Sequence, residues 1–124
     1  MLGMLILLDK LWLWPAVVMY MDFTYVKVRV NNPADLAKSD MIELLVDSGA
    51  IFTSVPRTTL EKLGLKPIAR RKLKVYGGTV VERDIGVAVI EYGGNLAGVP
   101  VIFGELEDTP ILGATSLEAL GYQV

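Results

Sequence analysis

The run Leu44-Leu45-Val46-Asp47-Ser48-Gly49-Ala50 carries one carboxylate out of an apolar stretch into a turn, with a hydroxyl residue and a glycine directly behind it. Such a carboxylate can act as a general acid or base. The chain has no His and no Cys. That excludes His-based triads, thiol nucleophiles, disulfides and the usual zinc sites. Acid–base chemistry near neutral or acidic pH therefore rests on Asp or Glu, and the weight on Asp47 rises. An apolar surrounding penalises a lone carboxylate unless it is protonated, hydrogen-bonded or paired. Ser48 can donate and accept a hydrogen bond, and Gly49 permits a tight turn that a side chain would hinder. Taken alone, Asp-Ser-Gly is more often an ordinary Asx-type turn between two strands.

Two further groupings stand downstream. Tyr76-Gly77-Gly78-Thr79 lies between two strand-like runs and reads as a hairpin tip, where glycine lets the chain bend and lets backbone approach a ligand. Ile111-Leu112-Gly113 repeats the pattern of an apolar run ending in glycine. An internal echo links the two halves: Thr58-Thr59-Leu60-Glu61-Lys62-Leu63-Gly64-Leu65 parallels Thr115-Ser116-Leu117-Glu118-Ala119-Leu120-Gly121-Tyr122. The chain thus reads as two copies of strand, glycine turn and short helix, which is more organisation than a chance turn at Asp47 would bring.

The elements that must position these residues are mostly strands. Val26, Val28 and Val30 alternate with Lys27 and Arg29, the pattern of a half-buried strand. Asn31-Asn32-Pro33 ends it, and residues 34–40 read as a polar connection. Residues 41–46 form the strand that reaches Asp47, and residues 51–54 leave the turn as another. Residues 56–63 read as a short helix, with Pro56 suited to its first turn and Gly64 stopping it. The basic residues Arg70, Arg71, Lys72 and Lys74 read as a solvated strand face, since no aromatics accompany them. Residues 85–92 and 96–103 are strands joined by Gly93-Gly94-Asn95, and residues 105–108 form an acidic surface loop. Thr115-Ser116-Leu117-Glu118 has the capping-box pattern and opens a second short helix that Gly121 closes.

At 124 residues and 52% hydrophobic, the chain is one domain, too small to bury all its apolar surface, so a partner surface is expected. A net charge of −2 argues against nucleic-acid binding. Residues 1–21 are two apolar runs broken by Asp9-Lys10, with Pro15 in the second. Neither reaches the roughly 20 residues that crossing a bilayer takes, and the segment lacks the leading positive charge and small-residue end of a secretory signal. It reads as an upstream extension with Met21 the true start, or as a strand (16–21) that docks on another subunit. Membrane-surface contact through Trp12 and Trp14 is the less favoured third reading. The domain proper is then 22–124.

In order and spacing, Leu-Leu-Val-Asp-Ser-Gly-Ala, the glycine-tipped hairpin and Ile-Leu-Gly before a short helix resemble the retropepsin-like aspartic proteases, in particular their small single-domain prokaryotic members. The resemblance spans residues 25–121 and runs through Ile90-Glu91-Tyr92-Gly93-Gly94 and Val101-Ile102-Phe103-Gly104. It implies a mainly β, small closed barrel-like acid protease fold with one or two short helices, working as a symmetric homodimer. It implies an aspartic endopeptidase acting on peptides or unfolded protein in the cytoplasm, with no metal and no cofactor. Asp47 would be the catalytic aspartate, one per subunit. Ser48, where Thr is commoner, would hold the two active-site turns together across the dimer. Gly49 and Ala50 complete the turn, with substrate main chain beside Gly49. Tyr76, Gly77, Gly78 and Thr79 would form a flap, and Ile111, Leu112 and Gly113 a second loop bracing the Asp47 turn.

Two departures separate this chain from the viral members, which carry Asp-Asp where Ile51 and Phe52 stand, and Arg where Ala114 stands. The first of those Asp residues pairs with that Arg, and both partners are absent here, so no charge is stranded. Two other readings stay open: a non-catalytic peptide-binding or dimerisation module of the same fold, and an unrelated small β-barrel in which Asp-Ser-Gly is only a turn.

Overall fold

The structure, a computed structural model, describes residues 24–75 and 77–123. The apolar segment 1–21 lies outside the described residues. Strand β1 (Tyr25–Asn32) and strand β2 (Asp35–Val46) form a long antiparallel hairpin. There follow β3 (Thr53–Pro56), helix α1 (Arg57–Lys62), β4 (Ala69–Lys74), β5 (Val80–Tyr92), β6 (Asn95–Gly104), β7 (Ile111–Leu112) and helix α2 (Ala114–Ala119). The strands neighbour one another in the order β1-β2-β7-β3-β6-β5-β4, and β1 also pairs with β5. That extra pairing closes a ring and leaves β4 outside it, as an edge strand on β5. Among the described residues this is the small, closed, mainly β fold with two short helices that the family resemblance implies.

The alternation in β1 sorts its side chains as expected: Val28 and Val30 are fully buried while Lys27 and Arg29 face outward. They join Leu44, Val55, Ile90, Val101 and Phe103 inside the ring. A fully buried side chain of this size stabilises by about 1.5–3 kcal/mol relative to exposure, so the ring interior supplies most of the driving force. Leu60 of α1 and Leu120, just beyond α2, plug the same core from below.

Four sequence expectations need correction. Residues 35–40 are strand, not a polar connection. Four of the six side chains are polar, and Leu36 and Ala37 are exposed with them, so no burial period marks the stretch. The ladder nonetheless continues, pairing Val30 with Asp40 and Asn31 with Ser39. The turn is made by buried Asn32, which accepts the Ala34 N–H on Oδ1 at 2.8 Å and donates from Nδ2 to the Leu63 carbonyl at 2.9 Å. Second, the strand after the Asp47 turn is 53–56 rather than 51–54. Third, helix α1 begins at Arg57, with Pro56 as its N-cap in extended conformation. Fourth, α2 has no capping box. It begins at Ala114, one residue before Thr115, with Gly113 at the N-cap and no side-chain cap bond. Its first N–H groups are capped by tertiary contacts instead: Ala114 donates to the Ala50 carbonyl at 2.7 Å, and Thr115 to that of Ile51 at 3.1 Å. Because Ala50 and Ile51 serve as caps, β3 starts two residues later than expected.

The internal echo has a structural counterpart. Leu63, Gly64 and Leu65 donate to Thr59, Glu61 and Leu60, and Leu120, Gly121 and Tyr122 donate to Ser116, Glu118 and Leu117. Each helix thus ends in the same reversal, with a left-handed glycine at Gly64 and Gly121.

Candidate active site

Strand β2 delivers Asp47 because its last residues are held on both sides. Leu45 and Val46 pair in parallel with Ile111 and Leu112 of β7, and Val46 donates to the Thr24 carbonyl at 2.8 Å. The next amide, Asp47 N–H, donates to the Leu112 carbonyl at 3.0 Å. The chain then turns: Ala50 donates to the Asp47 carbonyl at 3.1 Å, and Gly49 N–H donates to Asp47 Oδ1 at 2.9 Å. The carboxylate is therefore hydrogen-bonded, half-buried, and in no ion pair among the described residues. A Cβ at Gly49 would sit 3.2 Å from that same Oδ1, so glycine lets the backbone come up to the carboxylate.

Ile111, Leu112 and Gly113 brace this turn from beneath. Leu112 is buried and Gly113 is enclosed: a Cβ there would run into the Phe52 carbonyl group and come within 3.0 Å of the Ala50 oxygen. Gly113 N–H donates to Thr53 Oγ1 at 3.1 Å, and that hydroxyl shares a 2.5 Å hydrogen bond with Ser116 Oγ. Thr53 and Ser116 are both fully buried. Neither was singled out in the sequence: Thr53 stands next to a second hydroxyl, Ser54, and the capping-box pattern hid Ser116. Ser48 is half-buried at the turn, and its hydroxyl has no hydrogen-bond partner among the described residues.

The hairpin tip between β4 and β5 closes through Val75 N–H to Thr79 O at 2.8 Å and Gly78 N–H to Val75 O at 2.9 Å. Gly77 and Gly78 have φ of 92° and 87°, the left-handed region that favours glycine. Gly77, Gly78 and Thr79 are exposed, and Tyr76 lies outside the described residues. The structure brings Asp47, Ser48, Gly49 and Ala50 together with Ile111, Leu112 and Gly113. It does not bring the hairpin tip into contact with them among the described residues. The hairpin meets the Asp47 loop further down its stem, where the Arg71 guanidinium lies 5.4 Å from the centre of the Phe52 ring.

The base of the same hairpin is tied down by charge. Arg57 at the start of α1 donates to Asp84 at 2.7 Å and Glu105 at 3.0 Å, and its guanidinium covers the Phe103 ring at 5.2 Å. Arg83 donates to both oxygens of Asp108, at 2.7 and 2.9 Å. The expected acidic surface loop is thus recruited by two arginines. Arg57, and after it Arg70, hold the Asp84 carboxyl below its ordinary value of 3.8. Arg83 does the same for Asp108, helped by the Glu105 N–H. No helix among the described residues is long and apolar enough to cross a membrane.

Comparison with known proteins agrees with the fold. Among solved structures, EIAV protease complexed with the inhibitor HBY-793 matches with a TM-score of 0.60 at 21% identity, over 84% of this chain and 93% of that one. Simian foamy virus (mac) protease, solved in solution, matches with a TM-score of 0.51 at 19% identity, over 80% of this chain and 99% of that one. At such identities the likeness is one of fold. No curated protein matches the sequence. A family model described as aspartyl protease matches residues 26–116, the greater part of the chain. By that match, which takes in the Asp47 turn, its brace and the hairpin, the chain belongs to the aspartyl protease family.

Proposed function

We propose that the protein is an aspartic endopeptidase whose active site forms when two copies set their Asp47 residues against each other. The observation that carries this reading is the state of the Asp47 carboxylate. It is fixed at one oxygen by Gly49 N–H at 2.9 Å, is committed to no cation among the described residues, and stands on a turn braced by buried groups. Ser48, whose hydroxyl has no partner among the described residues, suits a hydrogen bond across the two-fold axis. EIAV and foamy virus proteases share the fold, which supports the symmetric homodimer.

In that dimer two carboxyl groups about 3 Å apart cannot both be ionised, so they hold one proton between them. The ionised Asp47 takes a proton from a bridging water as the water oxygen bonds to the scissile carbonyl carbon. The protonated Asp47 donates a hydrogen bond to the carbonyl oxygen. A proton then passes to the amide nitrogen, the carbon–nitrogen bond breaks, and a carboxylic acid and an amine leave. Gly77, Gly78 and Thr79, with Tyr76, form a flap that covers extended substrate and excludes water. Residues 22–124 are the catalytic unit, and its location is cytoplasmic.

Replacing Asp47 with Asn tests this. The variant should keep its melting temperature and dimer mass and lose cleavage of an unfolded protein at acidic pH. Retained cleavage would move the site elsewhere, and a wild-type protein that sediments as a monomer at every concentration would end the reading.

A further inference from the structure

Edge strand β4 divides its side chains into two rows. Arg70 and Lys72 stand opposite Asp84 and Glu82 across the ladder, and Arg70 donates to both acids, at 3.1 and 3.2 Å. This is the solvated, charge-compensated row. The other row sets Arg71 and Leu73 opposite Arg83 and Val81. Leu73, Val81 and Arg83 are half-buried, while Arg71 is exposed.

Two guanidiniums opposite each other on one row repel. Arg83 is compensated by Asp108 at 2.7 Å and Glu107 at 3.5 Å. Arg71 has no carboxylate within ion-pair distance among the described residues. It rests instead on the Phe52 ring at 5.4 Å. Phe52 belongs to the loop that starts at Asp47, next to Ile51, which is 66% exposed. A cation with no carboxylate partner among the described residues is therefore laid against the Asp47 loop, on Phe52 and near exposed Ile51.

We propose that Arg71, held by Phe52, selects an acidic side chain in the substrate, an Asp or Glu lying a few residues from the scissile bond. The proposal rests on Asp47 being catalytic in a symmetric dimer. An aromatic ring engages the face of a guanidinium, while the N–H donors point outward in its plane. Stacking on Phe52 therefore leaves the donors free and fixes their direction, which suits a carboxylate taking two parallel hydrogen bonds. Ile51 offers apolar contact to the methylenes of the same substrate residue. Both subunits contribute an Arg71, so the preference falls at two positions equidistant from the cleaved bond.

A cleavable peptide in which a single Glu replaces Gln at each position in turn tests this. At one position and its mirror, Glu should raise kcat/KM about tenfold over Gln, through KM, and Lys should lower it. Arg71→Met keeps a chain on the Phe52 ring without the charge, and should bring the Glu and Gln peptides to within about twofold of each other. Arg71→Glu should turn the preference toward Lys, which a merely structural role would not do. A Glu-to-Gln ratio near one at every position, or a ratio unchanged in Arg71→Met, overturns the proposal. If no peptide is cleaved, the catalytic reading fails by itself. Fluorescence anisotropy of the same labelled peptides on Asp47→Asn protein then decides specificity separately: a preference for Glu that Arg71→Met abolishes sustains the proposal, and equal affinities overturn it.

Discussion

Thr53 and Ser116 lie 63 residues apart in the chain and share a buried 2.5 Å hydrogen bond. The Thr53 hydroxyl also accepts the Gly113 N–H at 3.1 Å. Two side chains thereby fasten the strand leaving the Asp47 turn to the helix that follows the bracing loop. Both hydroxyls are out of water, so each depends on the other.

Thr53→Val keeps the shape and removes the hydroxyl. It leaves the Gly113 amide and the Ser116 hydroxyl unpaired in the interior, and should cost about 1–3 kcal/mol. Thr53→Ser keeps the hydrogen bonds and should cost less. Urea denaturation of both variants checks the order, and equal losses would mean that the methyl, not the hydroxyl, matters.

Gly113 beneath the Asp47 turn and Gly77 at the hairpin tip are glycine for different reasons. Gly113 has φ −90°, open to any residue, but its Cβ would strike the Phe52 backbone. Gly77 has φ 92° with nothing within 4 Å of a Cβ. Gly113→Ala should therefore destabilise by about 3 kcal/mol through overpacking of backbone that cannot swing away. Gly77→Ala should cost about 1–2 kcal/mol of conformational strain. Thermal melts separate the two, and a harmless Gly113→Ala would show that the brace is looser than described.

The carboxyls of Asp84 and Asp108 are held below 3.8 in the folded protein by Arg57 with Arg70, and by Arg83. A lowered folded value contributes stability that is complete above the unfolded value and drains away as pH falls through the folded one. The hairpin stem should therefore stay fastened at mildly acidic pH and loosen below about pH 4. Asp108→Asn should flatten the dependence of unfolding free energy on pH below about 4. An unchanged slope would assign the acid sensitivity to other carboxylates.

Which parts of this were legible in the chain follows from how far apart the interacting residues stand. The alternation of Val26, Val28 and Val30 placed β1 correctly because a half-buried strand writes its own period into the sequence. Residues 35–40 were missed because their ladder hydrogen bonds are backbone bonds that no side chain records. The Thr115-Ser116-Leu117-Glu118 pattern misled because the true caps of α2 are carbonyls of Ala50 and Ile51, more than sixty residues back in the chain. The basic run in β4 looked uniform, and only the pairing with β5 separated Arg70, paired with Asp84 and Glu82, from Arg71, which meets no carboxylate among the described residues.

The chain by itself determined what chemistry was available: without His or Cys, a carboxylate on a glycine turn was left to act, and the motif order around Asp47 pointed to its family. Tertiary structure alone decided which groups hold that carboxylate in place and which cation rests on the Phe52 ring of its loop. The reason is physical. Residue types and local periods are properties of neighbours along the chain. The bonds from Asp47 to Leu112, from Thr53 to Ser116 and the contact of Arg71 with Phe52 come into being only when distant segments close into the ring.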